Sequence, residues 1–298
     1  MKTVHLLLAA GLLAASSASV AITIDTVLVG DAGNTGEVQV GGTFGAVSYD
    51  YHIGTHEVTN AQYASFLNAA AATDTHNLYN SNMGSDARGG ISRIGSPGSF
   101  TYSTRANMAD KPVNYVSFWD AARFTNWLTS GNTETGVYVL TPTGISNNTI
   151  TRNTTAWNNG GVAIASENEW YKAAYYSGVN SGDSGDILMP NDDGYWLYPT
   201  QSNSAPMVAT ANTTGDISNP GTNVANYNSG ADWNSQDGNV TTVGSAGAAS
   251  ASHYGTFDQG GNVWEWNDEI MDTIFRGARG GSFDFILVNG LQSSDRGF

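Results

Sequence analysis

The stretch DQGGNVWEWNDE, residues 258–269, places two tryptophans and a pair of glycines among carboxylate and carboxamide side chains. Glycine lets backbone carbonyls turn inward, and calcium takes about six to eight oxygens from carboxylates, carboxamides and carbonyls. In an extended backbone, Val263 and Glu265 face one side while Trp264 and Trp266 face the other. The pattern fits a metal site backed by core tryptophans, a catalytic carboxylate cluster, or an edge strand with solvated acids.

The overall composition limits the classes of function. The chain has 298 residues, which suggests one large domain or two small ones with a sizeable core. The net charge of -15 argues against a nucleic-acid surface, which needs a basic patch, and fits cation binding or a soluble acidic surface. Because there are no cysteines, disulfides, thiol nucleophiles, thiolate zinc sites and iron–sulfur sites are excluded.

Residues 1–21 have the features of a signal peptide. Lys2 is followed by the apolar run LLLAAGLLAA at residues 6–15, and small residues then permit cleavage after Ala18 or Ala21. This apolar run is too short for a helix that spans a bilayer, and no later segment is long and apolar enough. We therefore expect an exported protein, secreted or on the cell surface.

Three segments are predicted to be helices because they share the same start. In each, a Ser or Thr cap is followed three residues later by Gln, Asp or Glu, and apolar residues recur on one face. The segments are residues 59–72, 117–128 and 166–176. Gly131 and Gly178 lie just beyond the second and third helices and suit their ends.

The rest of the chain has no helical pattern. Short β-like runs cover residues 46–54, 136–140 and 262–266, and long stretches rich in Gly, Ser, Asn and Thr cover residues 80–107 and 177–254. Unsupported loops of that length are unusual in compact domains, so either they are flexible or something such as a metal orders them. The sequence predicts a single irregular α+β domain.

Six ordered segments resemble the formylglycine-generating enzyme family, also called the sulfatase-modifying factor domain. They are HEVTNAQYASFLNA (56–69), KPVNYVSFWDAARFTNWL (111–128), ASENEWYKAAYY (165–176), TVGS (242–245), GNVWEW (261–266) and RGGSF (279–283). The resemblance covers residues 47–298 and leaves residues 22–46 as an N-terminal strand or lead-in. It implies a loop-rich, C-type-lectin-like fold with few short helices and twisted antiparallel strands, often ordered by calcium.

The resemblance implies a first calcium site in the opening stretch. The matching ligands are the side chains of Asp258 and Glu265 and the carbonyls of Gly261 and Val263. An edge strand with solvated acids remains the alternative.

A second calcium site implied by the resemblance lies upstream. Its ligands would come from Asn226, the carbonyl of Tyr227, and the Asp237-Gly238-Asn239 turn. The spacing is slightly shorter than in the family, and such segments are also ordinary turn chemistry.

The catalytic motif of the family is absent. Active relatives use the pattern G-G-S-x-x-C-H-x-x-x-C, whose two cysteines hold Cu(I), a soft cation. Here the sequence is GGSFDFILVNG, with Phe285 and Gly290 at the cysteine positions, Ile286 at the histidine position and only Ser282 retained. We therefore expect no copper, no catalytic residue of the family's kind and no copper-dependent formylglycine generation.

The histidines give no convincing alternative metal site. Some relatives hold non-haem iron with three histidines, and His52 and His56 are four residues apart. They belong to a predicted strand and its turn rather than to one helix face, and His76 and His253 have no nearby ligand pattern. All four are interpreted as surface or structural residues.

Aromatic residues in the polar loops permit two interpretations. Exposed rings would bind sugars or peptide side chains, whereas buried rings would fill a loop-rich core. The residues concerned are Trp157, Tyr195, Trp196, Tyr198 and Trp233.

The sequence supports three hypotheses of function. The first is an exported, calcium-stabilised, catalytically silent module that binds a glycan or a protein. The second is an oxidoreductase of the same family that acts through non-cysteine residues. The third is a truncated product, because the ending LQSSDRGF stops before the arginine-rich closing strand of relatives and could leave an unpaired sheet edge.

Overall fold

The computed structural model describes residues 22–178, 194–272 and 274–297. Within them the chain forms short helices and two-stranded sheets, an irregular α+β architecture. The helices are α1 (Asn60–Ala70), α2 (Asn82–Ser85), α3 (Phe118–Ser130), α4 (Pro142–Ser146), α5 (Thr154–Asn158) and α6 (Glu167–Tyr175). The strands are β1 (Thr26–Val29), β2 (Glu37–Gln39), β3 (Gly42–Phe44), β4 (Tyr51–Gly54), β5 (Ile91–Ile94), β6 (Thr101–Thr104), β7 (Met207–Val208), β8 (Val224–Ala225), β9 (Glu265–Ile270) and β10 (Arg276–Arg279).

The strands form pairs rather than one large sheet. β1 pairs with β4, β2 with β3, β5 with β6 and β9 with β10, all antiparallel, whereas β7 and β8 are parallel. A two-stranded sheet is marginally stable alone, so these pairs depend on packing against helices and loops. The predicted loop-rich fold with few helices and antiparallel strands is confirmed, with one parallel pair added.

The three predicted helices begin where their caps place them. Thr59, Ser117 and Ser166 each form a complete capping box at the start of α1, α3 and α6. Gly131 ends α3 in the left-handed conformation, with φ 75°. The short helices α2, α4 and α5 were not predicted, because four or five residues are too few to show an apolar period.

The strands were predicted less accurately than the three helices. β4 covers only the end of the 46–54 run. Residues 136–140 form no strand, and Val139 makes only an isolated bridge with Thr135. In the third run, β9 begins only at Glu265, since positive φ angles of 92° at Gly261 and 59° at Asn262 interrupt an extended backbone. Simple alternation therefore does not apply to the residues before Glu265.

Aromatic side chains build much of the core. Tyr63 and Phe66 of α1 pack against Phe124 of α3 in one cluster. A second cluster joins α6 to β3. In it, Trp170 and Tyr171 of α6 are grouped with Phe44 of β3, whose ring packs against that of Tyr171. These two clusters flank the region where the candidate site lies.

Polar side chains order the long loops. Asn212 Oδ1 accepts hydrogen bonds from the backbone N–H groups of Thr214 (2.9 Å) and Asp216 (3.0 Å). Asn and Ser residues such as Asn228 and Ser229 adopt positive φ angles of 54° and 52° in tight turns. Side-chain-to-backbone hydrogen bonds thus supply order within the described part of residues 177–254, whose residues 179–193 lie outside it.

The C-terminal segment contacts the β9–β10 sheet. Gly297 and Ala278 exchange two backbone hydrogen bonds of 2.9 Å. The sequence predicted an unpaired sheet edge, and this bridge pairs β10 at one position of its edge. The truncation itself stays a prediction.

The predicted signal peptide, residues 1–21, lies outside the described residues. Within the described ranges, no helix has both the length and the apolar character needed to cross a membrane.

Candidate ligand cavity and acidic cluster

A cavity of about 830 Å³ lies between α1, α3, α6 and the segment that leads into β9. Its walls are mainly apolar and include three tryptophans, Trp170, Trp264 and Trp266. Ligand sites in proteins are typically apolar clefts of roughly 300–1,000 Å³ with a few polar groups. The cavity therefore has the size and character of a binding site.

Three carboxyl groups lie close to one another at one side of this cavity. Glu57, between β4 and α1, and Glu265, the first residue of β9, line it, and Asp258, in the loop before β9, is close enough for its charge to affect both. Glu57 Oε2 accepts from Asn262 Nδ2 at 3.2 Å. Glu57 Oε1 is inaccessible to water and has no hydrogen-bond partner among the described residues.

The other two carboxylates are each held by one N–H donor. The indole Nε1 of Trp170 donates to Glu265 Oε2 at 2.7 Å, which fixes β9 against α6. The backbone N–H of Gly244 donates to Asp258 Oδ2 at 2.5 Å. Asp258 itself has φ 58°, so the loop bends sharply at this residue.

Burial makes the charged forms of these acids unfavourable. It raises the pKa of Asp258 to about 6, although the Gly244 N–H opposes the increase. Burial also raises the pKa of Glu265 to about 8, to which the charge of Asp258 adds. The pKa of Glu57 is raised well above its usual value, first by burial and then by Asp258 and Glu265.

No basic side chain in the described part of the chain pairs with this cluster. Among the described residues, neither Glu57, Asp258 nor Glu265 forms an ion pair. Buried like charges without a counter-ion are costly. The cluster can lower this cost by taking up protons or by binding a cation.

The first predicted calcium site is partly assembled by the fold. Asp258 and Glu265 are brought close, and the carbonyls of Gly261 and Val263 accept no hydrogen bond from the described residues. Across residues 22–178, 194–272 and 274–297, no three acidic or histidine side chains converge enough to hold a metal alone. A cation here would therefore depend on backbone carbonyls as well.

The second predicted calcium site is built differently. Asn226 is buried and its Oδ1 lacks a partner, which suits a cation. However, its Nδ2 donates to the carbonyl of Asn239 at 2.9 Å. Arg88 donates to the carbonyls of Asp237 and Gly238 at 2.9 and 3.0 Å, so a guanidinium already contacts this turn.

Tyr227, the remaining residue of the second site, belongs to a local turn. Its carbonyl accepts from Gly230 N–H at 3.2 Å, and its hydroxyl donates to Pro206 O at 2.8 Å. Asp237 is exposed to solvent. The donor set of the second site therefore fits calcium less well than that of the first.

At the two positions that the resemblance assigns to cysteines, the ring of Phe285 lies against Gly290. A Cβ atom at Gly290 would overlap the ring of Phe285. Phe285 also packs edge-on against Trp264, with ring centroids 5.6 Å apart. Ser282 lines the cavity and donates to Asp284 Oδ1 at 2.6 Å, while Ile286 is 71% exposed.

The four histidines of the described residues lie in different environments. His56 lines the cavity and stacks on Phe257, with centroids 5.0 Å apart, and burial lowers its pKa. His76 lies 3.4 Å from Glu134 near the surface. His52 is exposed beside Thr26, and His253 packs against Tyr254.

The loop aromatics mainly fill the core. Tyr195, Tyr198 and Trp233 are buried. Trp157 is half-buried, with Arg152 over its ring at 5.0 Å, and Trp196 is also half-buried. Of the two interpretations, filling of the core therefore applies to Tyr195, Tyr198 and Trp233.

Glu57 was not predicted as a site residue. It precedes the capping box of α1, where an acid is ordinary, and it lies about two hundred residues before its partners in the sequence. Nothing in its local pattern distinguishes it from a solvated residue.

Comparison with known proteins identifies a related domain. Residues 28–296 match the family described as sulfatase-modifying factor enzyme 1-like domain, so the match begins inside the predicted lead-in. No curated protein matches the chain. The crystal structure of CarF is similar, at 21% identity over 92% of each chain and a TM-score of 0.49. Treponema denticola variable protein 1 is 16% identical over 91% of this chain and 88% of its own, with a TM-score of 0.43.

Proposed function

Because the chain belongs to the sulfatase-modifying factor enzyme 1-like family and has its C-type-lectin-like fold, we propose that it is a binding module of that family. In this proposal the protein is exported, is stabilised by calcium and binds a protein ligand in its cavity. It does not generate formylglycine with copper.

The observation that carries this proposal is the packing of Phe285 on Gly290. These residues stand where the resemblance places two copper-binding cysteines, and the ring occupies the space that a side chain at position 290 would need. Neither residue offers a ligand for a soft cation. The Phe285 ring contacts Trp264, which lines the cavity of about 830 Å³, so the chain has room for a ligand without the family's metal ligands.

Calcium fits the first of the two predicted sites. Asp258, Glu265 and the carbonyls of Gly261 and Val263 would hold it, and their oxygens match the preference of this hard cation. Its positive charge would offset carboxylates that lack a basic partner. By binding the loop before β9, calcium would hold Glu265 and Trp170 in place beside the cavity.

A protein ligand is favoured over a glycan. The cavity walls are mainly apolar, which suits side chains of a peptide better than the hydroxyl groups of a sugar. Three of the loop aromatics that could have stacked on sugar rings are buried. Export, to the medium or the cell surface, rests on the signal-peptide features of residues 1–21.

A thermal unfolding series tests the calcium part. Saturating calcium should raise the midpoint of the wild-type protein relative to chelator, by several degrees at about a hundredfold excess over the dissociation constant. Asp258→Asn should lose most of this increase, whereas Asp110→Asn, an exposed acid outside the site, should keep it. An unchanged midpoint in the wild-type protein would contradict calcium binding.

Combined peptide and glycan arrays, probed in calcium and in chelator, test the ligand. We expect bound peptides, fewer or weaker in chelator, and no bound glycan. Absence of any ligand in both conditions would contradict the binding-module proposal.

A further inference from the structure

The described cavity wall is acidic and lacks basic groups. Its acids among the described residues are Glu57, Glu265 and Asp284, its histidine is His56, and it contains no Lys or Arg. Burial lowers the pKa of His56, so its ring stays neutral and does not offset the acids. A charged ligand that enters this apolar space meets acids and no Lys or Arg of the described wall, and a cation favours the ionised forms that burial disfavours.

One carboxylate oxygen of these acids lacks a hydrogen-bond partner. Glu57 Oε1 is inaccessible to water and makes no hydrogen bond to a described residue. In contrast, Oε2 accepts from Asn262, and the nearby N–H of Val263 partly opposes the increase in the Glu57 pKa. A buried polar atom without a partner costs free energy. An apolar or anionic ligand would leave this cost in place or increase it, whereas a cation would reduce it.

The three tryptophans of the cavity have no Lys or Arg of the described residues stacked on their rings. Elsewhere this protein often stacks basic groups on rings: Arg276 on Trp119 at 5.1 Å and Lys111 on Trp233 at 5.0 Å are two cases. Among the described residues, no Lys or Arg stacks on Trp170, Trp264 or Trp266. Aromatic faces attract cations, most strongly in desolvated sites.

From these observations we infer that the cavity recognises an organic ammonium group on an apolar chain, which in a protein ligand is a lysine side chain. The inference rests on the proposed binding function and names the chemistry that the cavity selects. The methylene groups contact the apolar walls, and the ammonium group lies near Glu57 and Glu265. The net charge of -15 also attracts a basic partner at long range.

Tryptophan fluorescence titrations test this inference, since three tryptophans line the cavity. The probes are hexylamine, hexan-1-ol and hexanoate, which share one chain length, and the N-acetyl methylamide of lysine with or without acetylation of its ε-amine. We expect the two ammonium compounds to bind at least about tenfold more tightly than their neutral counterparts, and hexanoate to bind most weakly. Equal affinity of hexylamine and hexan-1-ol would overturn the inference.

Variants identify the carboxylates involved. Glu57→Gln should weaken hexylamine binding about tenfold in calcium and in chelator, while hexan-1-ol binding stays within about twofold. Asp110→Asn is the control and should change neither. Because Glu57→Gln removes one of three neighbouring acids, its midpoint of unfolding in chelator should equal or exceed that of the wild type, which separates lost binding from lost folding.

The remaining outcomes separate this inference from the proposed function. If hexylamine binds but the lysine compound does not, the assignment to a lysine side chain is wrong. If the arrays yield peptides whose binding survives acetylation of their lysines, the binding module stands and the ammonium inference fails. If neither the arrays nor the titrations show binding, the proposed function fails first.

Discussion

At the scale of single residues, the positions that the resemblance assigns to two cysteines hold residues whose shapes fit one another. Phe285 and Gly290 form a matched pair, because the ring uses the space left by the missing side chain. Phe285 also extends the aromatic surface by contacting Trp264. The Phe285 ring therefore fills the space beside Gly290 and supports Trp264 in the cavity wall.

This matched packing predicts a non-additive mutation pair. Gly290→Ala should destabilise the protein by roughly 1–3 kcal/mol because its Cβ overlaps the Phe285 ring. In a Phe285→Ala background the same change should cost less than about 0.5 kcal/mol, since the ring is gone. Urea unfolding of the four proteins of this cycle measures the coupling, and additive costs would contradict the described contact.

Arg279 provides a second residue-scale prediction. It is fully buried, its Nε donates to Glu167 at 2.9 Å, and it stacks on Phe44 and Tyr171 with 4.9 Å to each ring. Arg279→Ala should cost about 3–5 kcal/mol, because it leaves a buried acid with one fewer partner and removes packing. Urea unfolding at neutral pH measures this cost.

Arg296 is the natural control for this experiment. It bonds the same Glu167, but its side chain is 26% exposed, against 1% for Arg279. Arg296→Ala should therefore cost clearly less, about 1 kcal/mol, because solvent screens its charge. Equal costs would show that burial does not determine the strength of these pairs.

At the scale of elements, local sequence determines the longer helices. Each of α1, α3 and α6 starts with a hydroxyl cap that accepts a backbone N–H three residues later. These contacts lie within one turn, so they depend little on the rest of the fold. The strands behave differently, because each has only two to six residues, too few for a clear apolar period, and β1 pairs with β4 across residues 30–50.

The caps give a prediction at this scale. Ser117→Ala should destabilise the protein by about 1 kcal/mol, because it removes the hydroxyl that accepts from the N–H of Asp120 at 3.2 Å and donates to the Asp120 carboxylate at 2.6 Å. Ser81→Ala, at the start of α2, is a matched control, since Ser81 makes no capping hydrogen bond, and its effect should stay within about 0.5 kcal/mol. Equal costs in denaturant unfolding would contradict the capping argument.

At the scale of the whole molecule, the main electrostatic feature is an excess of acidic over basic residues. Asp and Glu outnumber Lys and Arg by 26 to 11. Several of the basic groups are already engaged in buried pairs, such as Arg152 with Glu169 at 2.8 Å. The excess negative charge therefore remains largely uncompensated, at the surface and in the cluster beside the cavity.

This imbalance predicts that salt stabilises the protein. In chelator, raising sodium chloride from about 10 to about 200 mM should increase the free energy of unfolding by on the order of 1 kcal/mol, because counter-ions screen repulsion between acids. Sucrose at equal osmolality serves as the control for non-ionic effects. A decrease in stability with salt would mean that favourable ion pairs outweigh the repulsion.

The sequence by itself determined the features that depend on short-range chemistry. The three helix starts follow from hydroxyl and carboxylate groups spaced within one turn, and the ordered motifs from residue 56 to residue 283 indicated the family that the match to residues 28–296 shows. The absence of cysteine from the chain was also visible directly. Each of these features is contained in short segments, or in several short segments that follow one another in order along the chain.

Only the tertiary structure decided which of these residues act together. It placed Glu57 beside Asp258 and Glu265, and it replaced the predicted extended backbone before Glu265 with a sharp loop. It also buried aromatic residues that local composition left ambiguous, among them Tyr195. The physical reason is that burial, desolvation and repulsion between like charges arise from contacts across large separations in sequence, which no local pattern records.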